Sequence, residues 1–190
     1  MRPIRKALIT GVHKGLGRAL AEVLLERGWF VYGLSRQAPK GLGELGPFRF
    51  RSVDLRDFDA IPIGLAELLE GEDELDLVLL NAGLLGSLKD LAETDQEEIR
   101  EVMDVNVWAN KHVIDAVLAG QRVEQVVAIS SGASKSGSGG WGPYAISKAA
   151  INVLMQVYAH EHPDCHFNAL APGVVHTGMI DYVLAQKSDP

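Results

Sequence analysis

Tyr144 and Lys148 stand four residues apart, and Ser131 lies thirteen positions before the tyrosine. These are a phenol, an ammonium and a hydroxyl that one carbonyl oxygen could meet together. Gly142-Pro143 comes just ahead, and proline is well accepted in the first turn of a helix. A helix opening there puts Tyr144 and Lys148 at i and i+4, on one face. A free tyrosine titrates near pH ~10 and is a poor acid at neutrality, whereas a fixed neighbouring cation favours the phenolate and brings the group toward its working range. The trio therefore points to proton transfer at a carbonyl or alcohol oxygen.

Such a trio needs a scaffold, and the N-terminal segment supplies its first part. Thr10-Gly11-Val12-His13-Lys14-Gly15-Leu16-Gly17 follows the apolar run Ala7-Leu8-Ile9 and precedes the amphipathic stretch Arg18 to Arg27. This reads as strand, glycine turn and helix. Glycines at 11, 15 and 17 let the backbone turn tightly and approach a pyrophosphate at the positive end of the helix. The spacing differs from the commoner G-x-G-x-x-G. Farther along, strand-like runs at Ala7–Thr10, Phe30–Leu34, Phe48–Val53, Leu75–Leu80, Val126–Ser130 and His166–Ala171 alternate with helical patterns at Gly17–Arg27, Ile61–Leu69, Asp95–Ala119 and Gly142–His160. Thr94, with Glu97 three residues on, offers a cap for the third helix. Six strands with intervening helices predict an α/β domain: a doubly wound parallel sheet of six or seven strands with helices on both faces. Right-handed crossovers then place the ligand crevice at the carboxyl ends of the strands, where these motifs fall.

The chain of 190 residues is 47% hydrophobic, enough for one well-buried domain over residues 1–190, and no polar linker divides it. A net charge of −7 without a Lys/Arg cluster argues against nucleic acid as a partner. No apolar run approaches the ~18 residues of a membrane span, and the stretch after Met1-Arg2-Pro3-Ile4-Arg5-Lys6 is too short for a signal peptide. The single cysteine, Cys165, allows no internal disulfide, so a cytoplasmic setting is expected. His160, His162, Cys165 and His166 are crowded, but Pro163 interrupts them and their spacing fits no standard zinc pattern. No metal is expected.

Taken together, the motifs resemble the short-chain dehydrogenase/reductase family: T-G-x-x-x-G-x-G near the N-terminus, N-A-G after a central strand, and Ser followed by Y-x-x-x-K. Asn81-Ala82-Gly83 follows Leu77-Val78-Leu79-Leu80, Asn106 lies in Asp104-Val105-Asn106-Val107, and Pro172-Gly173 with Thr177 matches the family's P-G-x-x-x-T segment. The resemblance covers nearly the whole chain. It implies Asn106, Ser131, Tyr144 and Lys148 as catalytic residues, with Tyr144 donating a proton, Ser131 hydrogen-bonding the same oxygen, Lys148 holding the nicotinamide ribose and lowering the tyrosine pKa, and Asn106 holding a water that links Lys148 to solvent. Of the adjacent serines, the family spacing selects Ser131, and Ser130 is expected on the strand's other side. The wording of His160 to Gly173 is closer to the sepiapterin and benzil reductase branch, which suggests a dicarbonyl or pterin-like substrate. The function implied is reduction of a ketone, aldehyde or dicarbonyl to an alcohol; the alternative is a non-catalytic nucleotide-binding regulator or redox sensor on the same fold.

Cofactor contacts are expected from Thr10, Gly11, Lys14, Gly15, Leu16, Gly17, Ser35, Arg36, Asp54, Leu55, Asn81, Ala82, Gly83, Tyr144, Lys148, Pro172, Gly173, Val175 and Thr177. NAD-specific dinucleotide folds place an acid at the end of the second strand. This chain has Leu34-Ser35-Arg36, so a guanidinium, with Lys14 as a second cation, suits a 2′-phosphate and favours NADP(H) over NAD(H). Asp54 matches the family position that contacts adenine. A homodimer or homotetramer is expected, because Val102, Val105, Val113, Ile151, Leu154, Met155 and Tyr158 exceed what one sheet face needs, and the family pairs these helices about a two-fold axis. Ile180-Asp181-Tyr182-Val183-Leu184-Ala185 looks like the start of a substrate-covering helix. Of two readings, a naturally short protein with an open site and the larger part of a longer protein, the second is favoured, since a sixth strand without a neighbour would leave an exposed sheet edge.

Overall fold

Short apolar runs bounded by turns form the inner strands of the central sheet, as a strand buried on both faces requires. A computed structural model describes residues 4–187. β1 (Lys6–Thr10), α1 (Gly15–Glu26), β2 (Phe30–Ser35), the single turn α2 (Leu42–Leu45) and β3 (Phe48–Ser52) build one half. α3 (Ala60–Leu68) leads through the two-residue β4 (Glu74–Leu75) into β5 (Leu77–Leu80). A 3₁₀ turn at Leu91–Glu93 precedes α4 (Gln96–Met103), a π-helical segment (Asp104–Trp108) and α5 (Ala109–Gly120). The rest comprises β6 (Arg122–Val123), β7 (Gln125–Ile129), the short α6 (Ala133–Ser136), α7 (Gly142–Glu161), β8 (His166–Leu170) and α8 (Gly178–Lys187). The order β3-β2-β1-β5-β7-β8 is parallel throughout, and β4 and β6 pair separately.

The two faces follow from strand alternation. Leu8, Tyr32, Val78, Leu80 and Val126 point to α3, α5 and α7, which contribute Ile61, Leu65, Val113, Ile114, Ile151 and Met155 to the main core. Ile9, Val31, Leu79 and Val127 point the other way, toward Ala21 and Leu25 of α1 and Leu42 of α2. On the outer strand β8, His166, Asn168, Ala169 and Leu170 are exposed. No helix among the described residues is long and apolar enough to cross a membrane.

Four expectations need correction. The strand expected from Leu75 to Leu80 is broken at Asp76, whose carboxylate accepts the Lys6 N–H at 2.6 Å while its own N–H reaches the Lys6 carbonyl. Leu75 therefore belongs to a separate two-stranded sheet. The helix expected from Asp95 to Ala119 is interrupted by the π-turn at Asn106. Thr94 is not its cap: the helix begins at Gln96, and the Thr94 hydroxyl instead donates to the Asp90 carbonyl across the 3₁₀ turn. Finally, Val102, Val105, Val113, Ile151, Met155 and Tyr158 are buried within the protomer. The helix phase leaves Trp108, Ile146, Val153 and Val157 as the exposed apolar residues of these segments.

Candidate active site

Parallel pairing brings every strand's carboxyl end to one edge, so Thr10, Ser35, Asp54, Asn81, Ser131 and Pro172 all follow or close strands there. Gly11 and Gly15 have φ of +77° and +62°, a left-handed conformation that glycine adopts without strain. A Cβ on Gly17 would lie 2.2 Å from Asn81 Nδ2 and 2.5 Å from the Gly11 carbonyl oxygen, so only glycine lets α1 approach this closely. Thr10 and Asn81 fix the turn: the Thr10 hydroxyl accepts the backbone N–H of Asn81 and of Ala82 at 3.0 and 3.1 Å, and the Asn81 amide donates to the Thr10 and Gly11 carbonyls. The Asn81 side chain thus ties the two loops together rather than facing the crevice. α1 has no side-chain cap and no acid in its first turn, which leaves its N-terminal N–H groups suited to an anion. The residues fit a dinucleotide.

At the end of β2, Ser35 is buried with its hydroxyl donating to the Gln37 carbonyl, while Arg36 and Lys14 are exposed. Leu55 is buried in the main core. Arg56 grips Asp54 through Nε and Nη2, the latter at 2.6 Å, and reaches Glu101 of α4 at 3.1 Å. These hydrogen bonds hold the Asp54 carboxyl below its ordinary range. Thr177 faces Gly15, with its Cγ2 3.6 Å from where a Cβ would sit; Pro172 and Gly173 are exposed, and Val175 is half-buried.

At the other end, α7 opens with Pro143 in its first turn and carries Tyr144 and Lys148 on its buried face. Lys148 Nζ lies 5.5 Å from the Tyr144 ring centroid and donates to the Ile129 carbonyl at 2.7 Å. The Ser131 hydroxyl oxygen accepts the Ala133 N–H at 3.2 Å, leaving its own proton to donate. Ser130 turns away and donates to Asn152 Oδ1 at 2.6 Å. Burial raises the Tyr144 phenol above its ordinary value, and interaction with Ser131 pulls the other way. The expected depression by Lys148 is not seen: the ammonium is turned to the Ile129 carbonyl and is itself pushed down to about 8 by burial.

Asn106 sits at 0% exposure on the π-turn. Its Oδ1 accepts the Leu84 N–H at 2.7 Å, and its Nδ2 donates to the Leu84 carbonyl and to the Ser147 hydroxyl. Ser147 in turn donates to the Tyr144 carbonyl at 2.7 Å. This buried serine locks α7 to the π-turn and was missed at the sequence level, although its place inside the Y-x-x-x-K segment, on the tyrosine's side of the helix, was a usable signal. Gly83 lies beside both groups: a Cβ there would be 3.2 Å from Asn106 Oδ1 and 3.6 Å from Lys148 Nζ. Around the phenol, Leu85 and Val183 are buried against Tyr144, with Leu88, Trp141 and Met179 packed alongside. That apolar wall comes from three separate segments and had no periodic trace in the sequence. Away from the site, Tyr158 stacks on His162 and Phe167, and among the described residues no three metal-ligating side chains converge.

The assembled arrangement offers an acid, a hydroxyl donor and a cation beside a glycine-lined anion cradle. Known proteins resemble this chain over most of its length. Benzil reductase ((S)-benzoin forming) of Bacillus cereus is 31% identical over 193 residues, 93% of this chain and 78% of that protein. NADPH-dependent pterin aldehyde reductase of Arabidopsis thaliana is 33% identical over 187 residues, 93% of this chain and 77% of that protein. A short-chain dehydrogenase of Escherichia coli CFT073 solved with NADPH superposes with a TM-score of 0.86 at 28% identity, covering 98% of this chain and 82% of that one. The short chain dehydrogenase family model matches residues 5–188, and this chain belongs to that family of oxidoreductases.

Proposed function

We propose that the protein reduces a ketone, aldehyde or dicarbonyl to the alcohol with NADP(H). The observation that carries this reading is the buried Tyr144 flanked by Ser131 and Lys148 at the carboxyl edge of the sheet, across from the Gly11–Gly17 turn. When bound, the reduced nicotinamide supplies a hydride to the carbonyl carbon. Tyr144 delivers its phenolic proton to the oxygen as charge develops there, and Ser131 donates a second hydrogen bond to that oxygen. Lys148 holds positive charge beside the phenol and binds the ribose hydroxyls, while Asn106 fixes the loop at Leu84. Exposed Arg36 and Lys14, with no acid at the end of β2, support recognition of a 2′-phosphate. The NADPH-bound solved relative supports the same choice of cofactor. A homo-oligomer paired through the exposed Trp108, Val153 and Val157 completes the reading.

Loss of NADPH absorbance with a panel of aldehydes, ketones and 1,2-diketones tests it. Turnover with at least one carbonyl class is expected. Tight NADPH binding without turnover of any of them would instead favour a nucleotide-sensing regulator.

A further inference from the structure

The loop after Asn81-Ala82-Gly83 crosses the top of the site and carries Leu85 and Leu88 of the apolar wall. Nothing regular holds it: residues 81–89 form no strand or helix. Two side chains from the α4 and π-turn segment do so instead. Asn106 binds both backbone groups of Leu84. Glu98 of α4 binds the loop again three residues on, with Oε1 accepting the Ser87 N–H at 2.5 Å and the Ser87 hydroxyl at 2.6 Å. Its other oxygen faces Lys89 Nζ at 3.4 Å. Charge-assisted bonds of this kind are the stronger class. The backbone is shaped to let the carboxylate in: Gly86 has φ +76°, and a Cβ there would lie 3.0 Å from Glu98 Oε1 and 3.2 Å from Val102 Cγ2. Leu85 is therefore held between two ties, and Leu88 follows the second directly.

We propose that Glu98 is a positioning residue for the carbonyl substrate: by clamping Ser87 and Lys89 it holds Leu85 and Leu88 as the apolar wall beside Tyr144, and so sets affinity for substrates with a bulky apolar group next to the carbonyl. The inference rests on the reductase reading given above. Glu98 touches neither the phenol nor the cofactor groove, so its influence is confined to where the substrate's flank lies. A small carbonyl that does not reach the wall is indifferent to it.

The test compares the unaltered protein, Glu98→Leu and Glu98→Gln with benzil and with a small aldehyde, alongside NADPH affinity by fluorescence. Glu98→Leu is expected to raise KM for benzil about tenfold or more while kcat, NADPH affinity and KM for the small aldehyde stay within about twofold. Glu98→Gln keeps an acceptor for Ser87 and is expected to recover most of the benzil affinity. Trypsin cleavage after Lys89, read without any turnover, is expected to speed up in Glu98→Leu and by less in Glu98→Gln, which keeps the Ser87 tie and loses the Lys89 ion pair. Equal rises in KM for both carbonyls, a fall in NADPH affinity, or unchanged cleavage would each overturn the clamp. Failure of the unaltered protein to reduce any carbonyl would count against the reductase reading alone, since the cleavage comparison reads the loop independently.

Discussion

Replacing Lys148 with methionine should remove activity and make the folded protein more stable. The side chain is 5% exposed, and burial alone pushes the ammonium from 10.5 down to about 8. At ~1.4 kcal/mol per pKa unit, holding that charge in the fold at neutral pH costs about 3 kcal/mol. Methionine keeps the apolar stem and removes the charge. It also leaves the Ile129 carbonyl without the donor now at 2.7 Å, an offset of about 1–2 kcal/mol. The net gain is about 1–2 kcal/mol, and in a domain of this size a gain of 1 kcal/mol raises Tm by about 2–4 °C. The sign with pH follows from linkage. Because the folded pKa lies below the unfolded one, both states carry the proton below about pH 8 and the full penalty applies. Between about 8 and 10.5 the native state releases its proton first, so the unaltered protein gains stability there and the variant's advantage shrinks. Thermal unfolding of both proteins without cofactor, at pH 7 and pH 9.5, reads this directly. A variant less stable at pH 7, or a gap that does not narrow as pH rises, would refute the reasoning.

Tyr144→Phe removes the transferable proton and keeps the ring, so carbonyl reduction should fall by about 10²–10⁴-fold with NADPH affinity retained; fluorescence titration beside steady-state rates checks both. Arg36→Asp should shift the kcat/KM ratio from NADPH toward NADH, because a carboxylate repels a 2′-phosphate and accepts from a 2′-hydroxyl, and a wild-type preference for NADH would refute the cofactor assignment. Light scattering at micromolar concentration should give a mass at least twice the 20.5 kDa of the chain, and Val153→Glu, on an exposed position of α7, should return it to the monomer.

The inner strands β1, β2, β5 and β7 were readable because each is a brief apolar run closed by a glycine or polar turn, the mark of a buried parallel strand, while the outer β3 showed itself by alternation. The nearness of Tyr144 and Lys148 was readable because it is local: they share one helix face, which needs no knowledge of the fold. The π-turn at Asn106 was not, since one extra residue in a long helix barely disturbs the apolar spacing that marks the helix itself. The apolar surplus offered as a reason for self-association was assigned the wrong phase for a related reason. Composition shows a surplus of apolar positions on α4, α5 and α7, but only packing against β1, β5 and β7 shows that Val113 and Ile151 face inward while Trp108 and Val153 do not. The Glu98 tie to Ser87 joins a helix to an irregular loop, and no periodicity links such partners.

The π-turn also bears on how the chain can change over generations. A π-turn is an α-helix holding one residue more than its turn requires, here with the Ala109 N–H reaching back five residues to the Asp104 carbonyl. The Asn110 amide takes up the Asn106 carbonyl at 2.8 Å. Losing one residue from this turn would restore ordinary winding and leave α4 and α5 in register, because the turn holds the extra residue within itself. Glu98 would keep Ser87 and Glu101 would keep Arg56, while Asn106, carried on the turn itself, would lose its reach to Leu84. Elsewhere a surface helix absorbs a one-residue deletion by fraying at its end. Here the slack lies in the middle: a one-residue change within the π-turn leaves both flanks in place, whereas one in α4 or α5 turns part of that helix by about 100°, so homologues are expected to differ in length at the turn rather than in the helices beside it.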